Sequence, residues 1–136
     1  MAVTKRNANT QTIDPNWPQA LSADRVRFTY DRPTDTLFVD FYGEALPAAS
    51  IPLDRGDQDY LFLRIEPETA VVVGLQVEHF LSYAVHRHPE LVAALNFATL
   101  VGIDRNELRQ ITPFEPAPTT EEDATALVEG IFRLSA

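Results

Sequence analysis

Between Val26 and Val77 the apolar residues fall on every second position. Val26, Phe28 and Tyr30 alternate with Arg27 and Thr29; Leu37, Val39 and Phe41 alternate with Phe38, Asp40 and Tyr42. Successive side chains of an extended strand point to opposite faces, so this rhythm puts one set on a shared buried side. The segment Asp31-Arg32-Pro33-Thr34-Asp35 lies between the two runs. An Asp carboxylate that accepts nearby backbone N–H groups and a proline that presets φ are turn chemistry, so a β-hairpin is predicted, ended by Gly43 and Pro47. Ser50–Leu53 is a short extended piece that Pro52 confines to an edge or a strand end. Tyr60–Ile65 is apolar except for Arg64, Glu66–Thr69 is a turn, and Val71, Val73, Leu75 and Val77 line one face of a further strand. On the other face of this second hairpin, Gly74 marks a bulge or the close approach of another side chain.

After Glu78 the period becomes helical, with Phe80, Leu81, Ala84 and Val85 on one stripe. Pro89, preceded by His88 at the N-cap position, opens a second helix whose apolar side is Leu91, Val92 and Leu95, continued by Phe97–Leu100 and stopped at Gly102. Asp104 caps a short helix to Gln110. Pro113, Pro116 and Pro118 make Thr112–Pro118 an extended linker. Thr119 or Thr120 opens a last helix, Thr119 with Glu122 making a capping box, and on it Ala124, Leu127, Val128 and Ile131 repeat at helical spacing, with Leu134 or Ser135 next. That stripe either folds back on the sheet or docks on a second chain. The expected fold class is α+β: an antiparallel β-meander of four to five strands, then short helices and an amphipathic C-terminal helix. Residues 1–24, polar and aperiodic around Trp17, form a flexible arm; 25–111 are the β-meander and helices; 112–136 are the linker and last helix.

A chain of 136 residues, 45% of them hydrophobic, is one domain with a core of its own. It has no cysteine, which removes disulfides, thiolate metal sites and thiol nucleophiles. The net charge of −9 disfavours nucleic acid and anionic membrane surfaces as partners. No run approaches the ~20 apolar residues of a membrane span, and Lys5 and Arg6 have no apolar stretch behind them, so a cytoplasmic location is expected.

Few residues suggest chemistry. His79 and His86 are seven apart and would share a face of a continuous helix; His88 is offset, and Glu78 and Glu90 are near. Their spacing is not the i, i+4 pair of a helical zinc motif, and solvated or capping histidines are the expectation. Asp54, Asp57 and Asp59 surround Gly56 without the alternation or the terminal Glu of a calcium loop. No serine sits in a Gly-x-Ser-x-Gly elbow, and no phosphate-binding loop exists. Asp31 and Asp35 read as exposed turn residues. No catalytic, metal or cofactor-binding residue is assigned, and no cofactor is expected. The face of the second strand that carries Phe38 and Tyr42 is apolar apart from Asp40, so both faces of that strand call for cover. Helices after Glu78 cover one. The other is a ligand groove, a dimer interface or the seat of the C-terminal helix. Phe38, Tyr42, Leu127, Val128 and Ile131 are therefore the candidate interface residues.

Phe28-Thr29-Tyr30-Asp31-Arg32-Pro33-Thr34-Asp35-Thr36-Leu37-Phe38-Val39, followed by Ile65-Glu66-Pro67-Glu68-Thr69-Ala70-Val71-Val72-Val73-Gly74-Leu75-Gln76-Val77, resembles a family of short bacterial proteins catalogued as domain of unknown function 2283. Tyr30, Asp31, Asp35, Leu37 and Gly74 carry the resemblance, which spans about residues 26–80. It implies a small β-meander and a tendency to pair with other chains, and supplies no catalytic residues. Some members are suspected partners in two-gene toxin–antitoxin systems. The expected function is a non-catalytic protein–protein interaction or oligomerisation module, acting as a homodimer or with a small protein partner. The alternatives are a small-ligand binder or enzyme using a groove near His79–His88, and an antitoxin-like partner of a small toxin.

Overall fold

Strands β1 (Arg27–Asp31) and β2 (Thr36–Asp40) form the first hairpin, and β4 (Leu61–Ile65) and β5 (Val72–Val77) the second. The computed structural model describes residues 25–52, 60–114 and 121–133. The arm with Trp17, the acidic turn Asp54–Asp59, and Thr119, Leu134 and Ser135 of the last helix's expected cap and stripe lie outside them. β3 (Ala49–Pro52) is an edge strand, and β6 (Thr99–Val101) closes the opposite edge. The sheet order is β3-β4-β5-β2-β1-β6. All neighbouring pairs are antiparallel except β1 with β6, which is parallel. The fold is α+β, with a six-stranded mixed sheet and several short helices.

Two expectations need correcting here. The five strands up to Val77 do not pair in simple sequence order: β2 lies against β5, with Leu37 opposite Val77 and Val39 opposite Leu75, and β3 is displaced to the edge. The central place goes to the more apolar strands, whereas Pro52 lacks an N–H for a second ladder. Residues Phe97–Leu100 do not continue the preceding helix, which ends at Asn96. Thr99–Val101 extend along β1 instead, and the Arg32 amide donates to the Val101 carbonyl at 2.9 Å. An open edge of β1 would leave its backbone groups without ladder partners, and a β-branched Thr-Leu-Val segment suits that place.

Gly74 is required by the pairing. A Cβ there would stand 2.4 Å from the Val39 carbonyl oxygen, so the close neighbour is main chain of β2 rather than a side chain. A bulge between Arg64 and Ile65 shifts the register so that Ile65 faces Val72. Val71 is left outside the strand and 45% exposed, against the expectation that it lines the buried face. Gly102, at φ +82°, turns the chain after β6, where a Cβ would stand 2.7 Å from Pro33 Cδ.

All the helical elements join the core on one side of the sheet. A π-helical turn, Phe80–Ala84, runs into α1 (Val85–Arg87), followed by a 3-10 helix, Pro89–Asn96, with Pro89 in its first turn. α2 (Arg105–Ile111) starts at Asp104 with a capping box: Asp104 Oδ1 accepts the Glu107 amide at 2.8 Å, and Glu107 Oε1 accepts the Asp104 amide at 3.1 Å. α3 (Glu121–Arg133) ends the described chain. Phe28, Tyr30, Leu37, Val39, Leu63, Leu75 and Val77 of the sheet form one buried cluster with Phe80, Leu91, Leu95, Leu108, Ala124, Val128 and Ile131. Each Val, Leu, Ile or Phe side chain among them contributes on the order of 1.5–3 kcal/mol on burial. No helix among the described residues is long and apolar enough to cross a membrane.

Candidate functional site

Strand alternation puts a second set of side chains on the face away from the helices. Along one cross-strand row, Ser50 pairs with Arg64, Arg64 with Gly74, Gly74 with Asp40, and Asp40 with Arg27. In the next row, Pro52 pairs with Phe62, Phe62 with Gln76, Gln76 with Phe38, and Phe38 with Thr29. The Arg64 guanidinium lies 5.8 Å from the centre of the Phe38 ring, and that of Arg25 5.2 Å from the Tyr42 ring. Phe38 and Phe62 are half-buried, yet neither packs against the core cluster; Tyr42 is 38% exposed. Among the described residues no helix covers this face.

Its charges are poorly accommodated within the chain. Asp40 is 7% exposed, and no side chain or amide among the described residues donates to its carboxylate, which is not sealed from solvent. Burial pushes its carboxyl above the ordinary carboxylate range, and the charges of Arg64 and Arg27 offset that only in part. Arg64 Nε is buried and has no acceptor. A buried donor left without a partner costs about 1–3 kcal/mol. Gly74, between Arg64 and Asp40 in the row, adds no side chain to separate them.

The other residues singled out from the sequence go elsewhere. Val128 and Ile131 are fully buried in the chain's own core, and Leu127 is half-buried beside it, so the last helix folds back on this domain and does not offer Val128 or Ile131 to a partner. Nor does it sit on the Phe38 face. Leu37 is fully buried. Asp31 serves the local turn, its carboxylate accepting the Thr34 hydroxyl at 2.5 Å and the Thr34 amide at 3.2 Å.

Asp35 does not behave as an exposed turn residue. Its φ is +53°, and its carboxylate accepts the Tyr30 hydroxyl at 2.6 Å, the Leu81 amide at 2.9 Å and the Ser82 amide at 3.1 Å. It thus caps the π-helical turn, whose first N–H groups would otherwise lack partners. Burial alone would raise its pKa, but the Tyr30 hydroxyl and the two amides together bring it below the usual value. Tyr30 is correspondingly pushed up to about 12, by burial first and by Asp35 second.

The three histidines do not converge. His79 stands at φ +52° before the π turn, and its carbonyl accepts the Tyr83 and Ala84 amides at 2.8 and 2.9 Å. His86 is exposed, and His88 Nε2 meets the Tyr60 hydroxyl at 2.9 Å with Nδ1 3.9 Å from Glu90. Among the described residues no three His, Asp or Glu side chains gather as a metal site would need. Between the 3-10 helix and α3 runs a groove of about 430 Å³, lined by Leu91, Phe97, Leu127, Gly130 and Ile131 and also by Glu90 and Asp123.

Sequence reasoning placed Phe38, Asp40 and Tyr42 on one face of the second strand but did not join Phe62, Arg64 and Gln76 to the same surface. The alternation of β4 carried a signal, since Phe62 and Arg64 fall between Leu61, Leu63 and Ile65. Their assembly into rows depends on the β2–β5 pairing. Comparison with protein-family models, with curated proteins and with solved structures finds no match for this chain.

Proposed function

We propose that this domain is a non-catalytic protein–protein interaction module whose interface is the face of the sheet that no described helix covers. The observation that carries the reading is the surface itself. Phe38 and Phe62 stand apart from the core, beside a nearly buried Asp40 whose carboxylate receives no hydrogen bond among the described residues, and the Arg64 guanidinium lies over the Phe38 ring. Aromatic and arginine side chains at the centre of a face, with polar residues around them, are the composition of protein interfaces. A partner that sets a donor against Asp40 and an acceptor against the Arg64 guanidinium adds charge-assisted hydrogen bonds at this face.

The test is a Phe38→Ser/Phe62→Ser double variant. It keeps its melting temperature within a few degrees, because neither ring packs on the core, and it loses association in light scattering or in co-purification with a co-expressed neighbouring gene product. Unchanged association of a folded double variant would count against the reading.

A second reading, small-ligand binding, is supported by the groove between the 3-10 helix and α3, whose volume of about 430 Å³ is in the range of small-molecule sites. A metabolite panel that leaves the melting temperature unmoved removes that support.

A further inference from the structure

We propose that the occupant of the face left uncovered by the described residues is a second copy of this chain, docked face to face about a two-fold axis running along β5 over Gly74 and Gln76. The proposal rests on the reading of this face as an interface and adds the partner and the register.

The argument is one of self-complementarity. A two-fold interface brings the same patch of both subunits together, so the patch must match its own rotated image. An axis in the interface plane, parallel to β5, preserves position along the strand and exchanges the two sides of β5. In the row through Gly74, Arg64 lies one strand out on one side and Asp40 one strand out on the other. Rotation therefore puts Arg64 across from the partner's Asp40 and Asp40 across from the partner's Arg64. In the row through Gln76, Phe62 and Phe38 stand in the same relation, so each ring faces the other aromatic of the second copy. Gly74 and Gln76 meet their own counterparts on the axis. Gly74 brings no side chain there and Gln76 a neutral amide able both to donate and to accept.

Neighbouring choices of axis fail on charge. An axis along β2 sets Asp40 against the partner's Asp40; one along β4 sets Arg64 against the partner's Arg64. Like charges facing each other across an interface cost several kcal/mol. Only the β5 axis among these three puts opposite charges together. It also sets the Arg64 guanidinium against a carboxylate other than that of its own chain and gives Asp40, 7% exposed, a facing cation. Packed sheets lie roughly 10 Å apart with strands aligned to within about 30°, a gap two facing side chains fill. The twist weakens the correspondence away from the axis, so the pairs one strand out are the ones the register specifies.

The experiment uses the full chain. Asp40→Arg and Arg64→Asp are made singly, with Gln76→Lys and Gln76→Glu as a second pair at a half-exposed position on the axis, where folding is under less strain. Circular dichroism and melting temperature establish which variants fold. Light scattering then follows mass with dilution. Wild type is a dimer at tens of micromolar. Each single variant, which faces its own like charge, is about a hundredfold weaker. Mixing Asp40→Arg with Arg64→Asp, or Gln76→Lys with Gln76→Glu, restores the dimer mass, because the variant charges now face opposite ones across the axis. Neighbouring charges within one chain cannot produce this rescue, since each chain keeps its own substitution.

Folded variants that dimerise like wild type, or a folded mixture that stays monomeric, overturn the proposal. A monomeric wild type overturns it too. If that monomer still captures a co-expressed neighbouring gene product, and Phe38→Ser/Phe62→Ser abolishes the capture, the interaction reading survives with a different partner. If the double variant alters no association at all, both fall.

Discussion

The Tyr30 hydroxyl donates to Asp35 Oδ1 at 2.6 Å, and that carboxylate also accepts the Leu81 amide, 46 residues further along the chain. One side chain in the first hairpin turn thus joins β1 to the helical layer. The Asp35 carbonyl adds to the link by accepting the Phe80 amide at 2.8 Å. Tyr30 packs its ring against Phe80, 5.8 Å between centres, so the apolar and polar contacts of the joint reinforce each other.

Removal of this cap has a measurable cost. Asp35→Ala leaves two amides and a buried hydroxyl without their acceptor and forces a β-carbon residue other than Asn or Asp into φ > 0, so a loss of about 2–4 kcal/mol is expected in urea denaturation. Asp31→Ala, which releases only contacts within the exposed turn, costs roughly 1 kcal/mol or less. Equal losses at the two positions would show that Asp35 is no more than a turn residue.

The two perturbed carboxylates give pH dependences of opposite sign. Asp35 is lowered in the folded state, so its contribution is present above the unfolded carboxylate value of about 4 and is lost as pH falls through the folded value. The deficit of Asp35→Asn relative to wild type therefore shrinks in acid. Asp40 is raised, so its contribution is greatest below about pH 4 and is lost as pH rises through the folded value. Under dilute, monomeric conditions Asp40→Asn is more stable than wild type near neutrality, and the gain fades in acid. Thermal melts across pH 2.5–7 check both, the range bracketing a carboxylate titration of about 4.

Alkaline behaviour reports on Tyr30. A hydroxyl that titrates near 10 in the unfolded chain and at about 12 in the fold contributes stability that is intact below pH 10 and drains away between the two values. The expected slope is roughly 1.4 kcal/mol per pH unit over that interval. Tyr30→Phe, less stable at neutral pH through the loss of its bond to Asp35, has a flatter profile there. A variant with the wild-type slope would mean that Tyr30 is not the group responsible.

Two glycines should respond in opposite directions. Gly74→Ala drives a Cβ to 2.4 Å from the Val39 carbonyl oxygen, and main chain cannot easily yield, so a loss of about 2–3 kcal/mol is expected. Gly130 lies within α3, where an added Cβ meets nothing within 4 Å. Gly130→Ala gains about 0.5–1 kcal/mol through helix propensity alone. Chemical denaturation of both variants checks the pair, and a destabilised Gly130→Ala would indicate that something closes over the groove.

Much of the local structure was legible in the residues. The alternation of Phe28, Tyr30, Leu37 and Val39 marked strands and their buried side, and Asp104 marked the start of α2. These signals work because a strand repeats every two residues and a cap acts within four. Asp35 was harder. Its short-range role in a turn accounts for its presence next to Thr34, and nothing near it in the chain announces an acceptor for amides of Leu81 and Ser82.

The sequence by itself determined most of the residues that share a face, Val71 excepted, where the hairpins turn and where α2 begins, since each depends on contacts a few residues long. Only the tertiary structure decided that β2 lies beside β5, that Thr99–Val101 joins the sheet as a strand, and that Val128 and Ile131 are buried inside the domain. It also brought Arg64 and Asp40 to either side of Gly74. Periodicity says which side of a strand is apolar but carries no address for its neighbour. Neighbours are chosen by the competition among all apolar surfaces for burial and all backbone edges for partners, a property of the assembled chain.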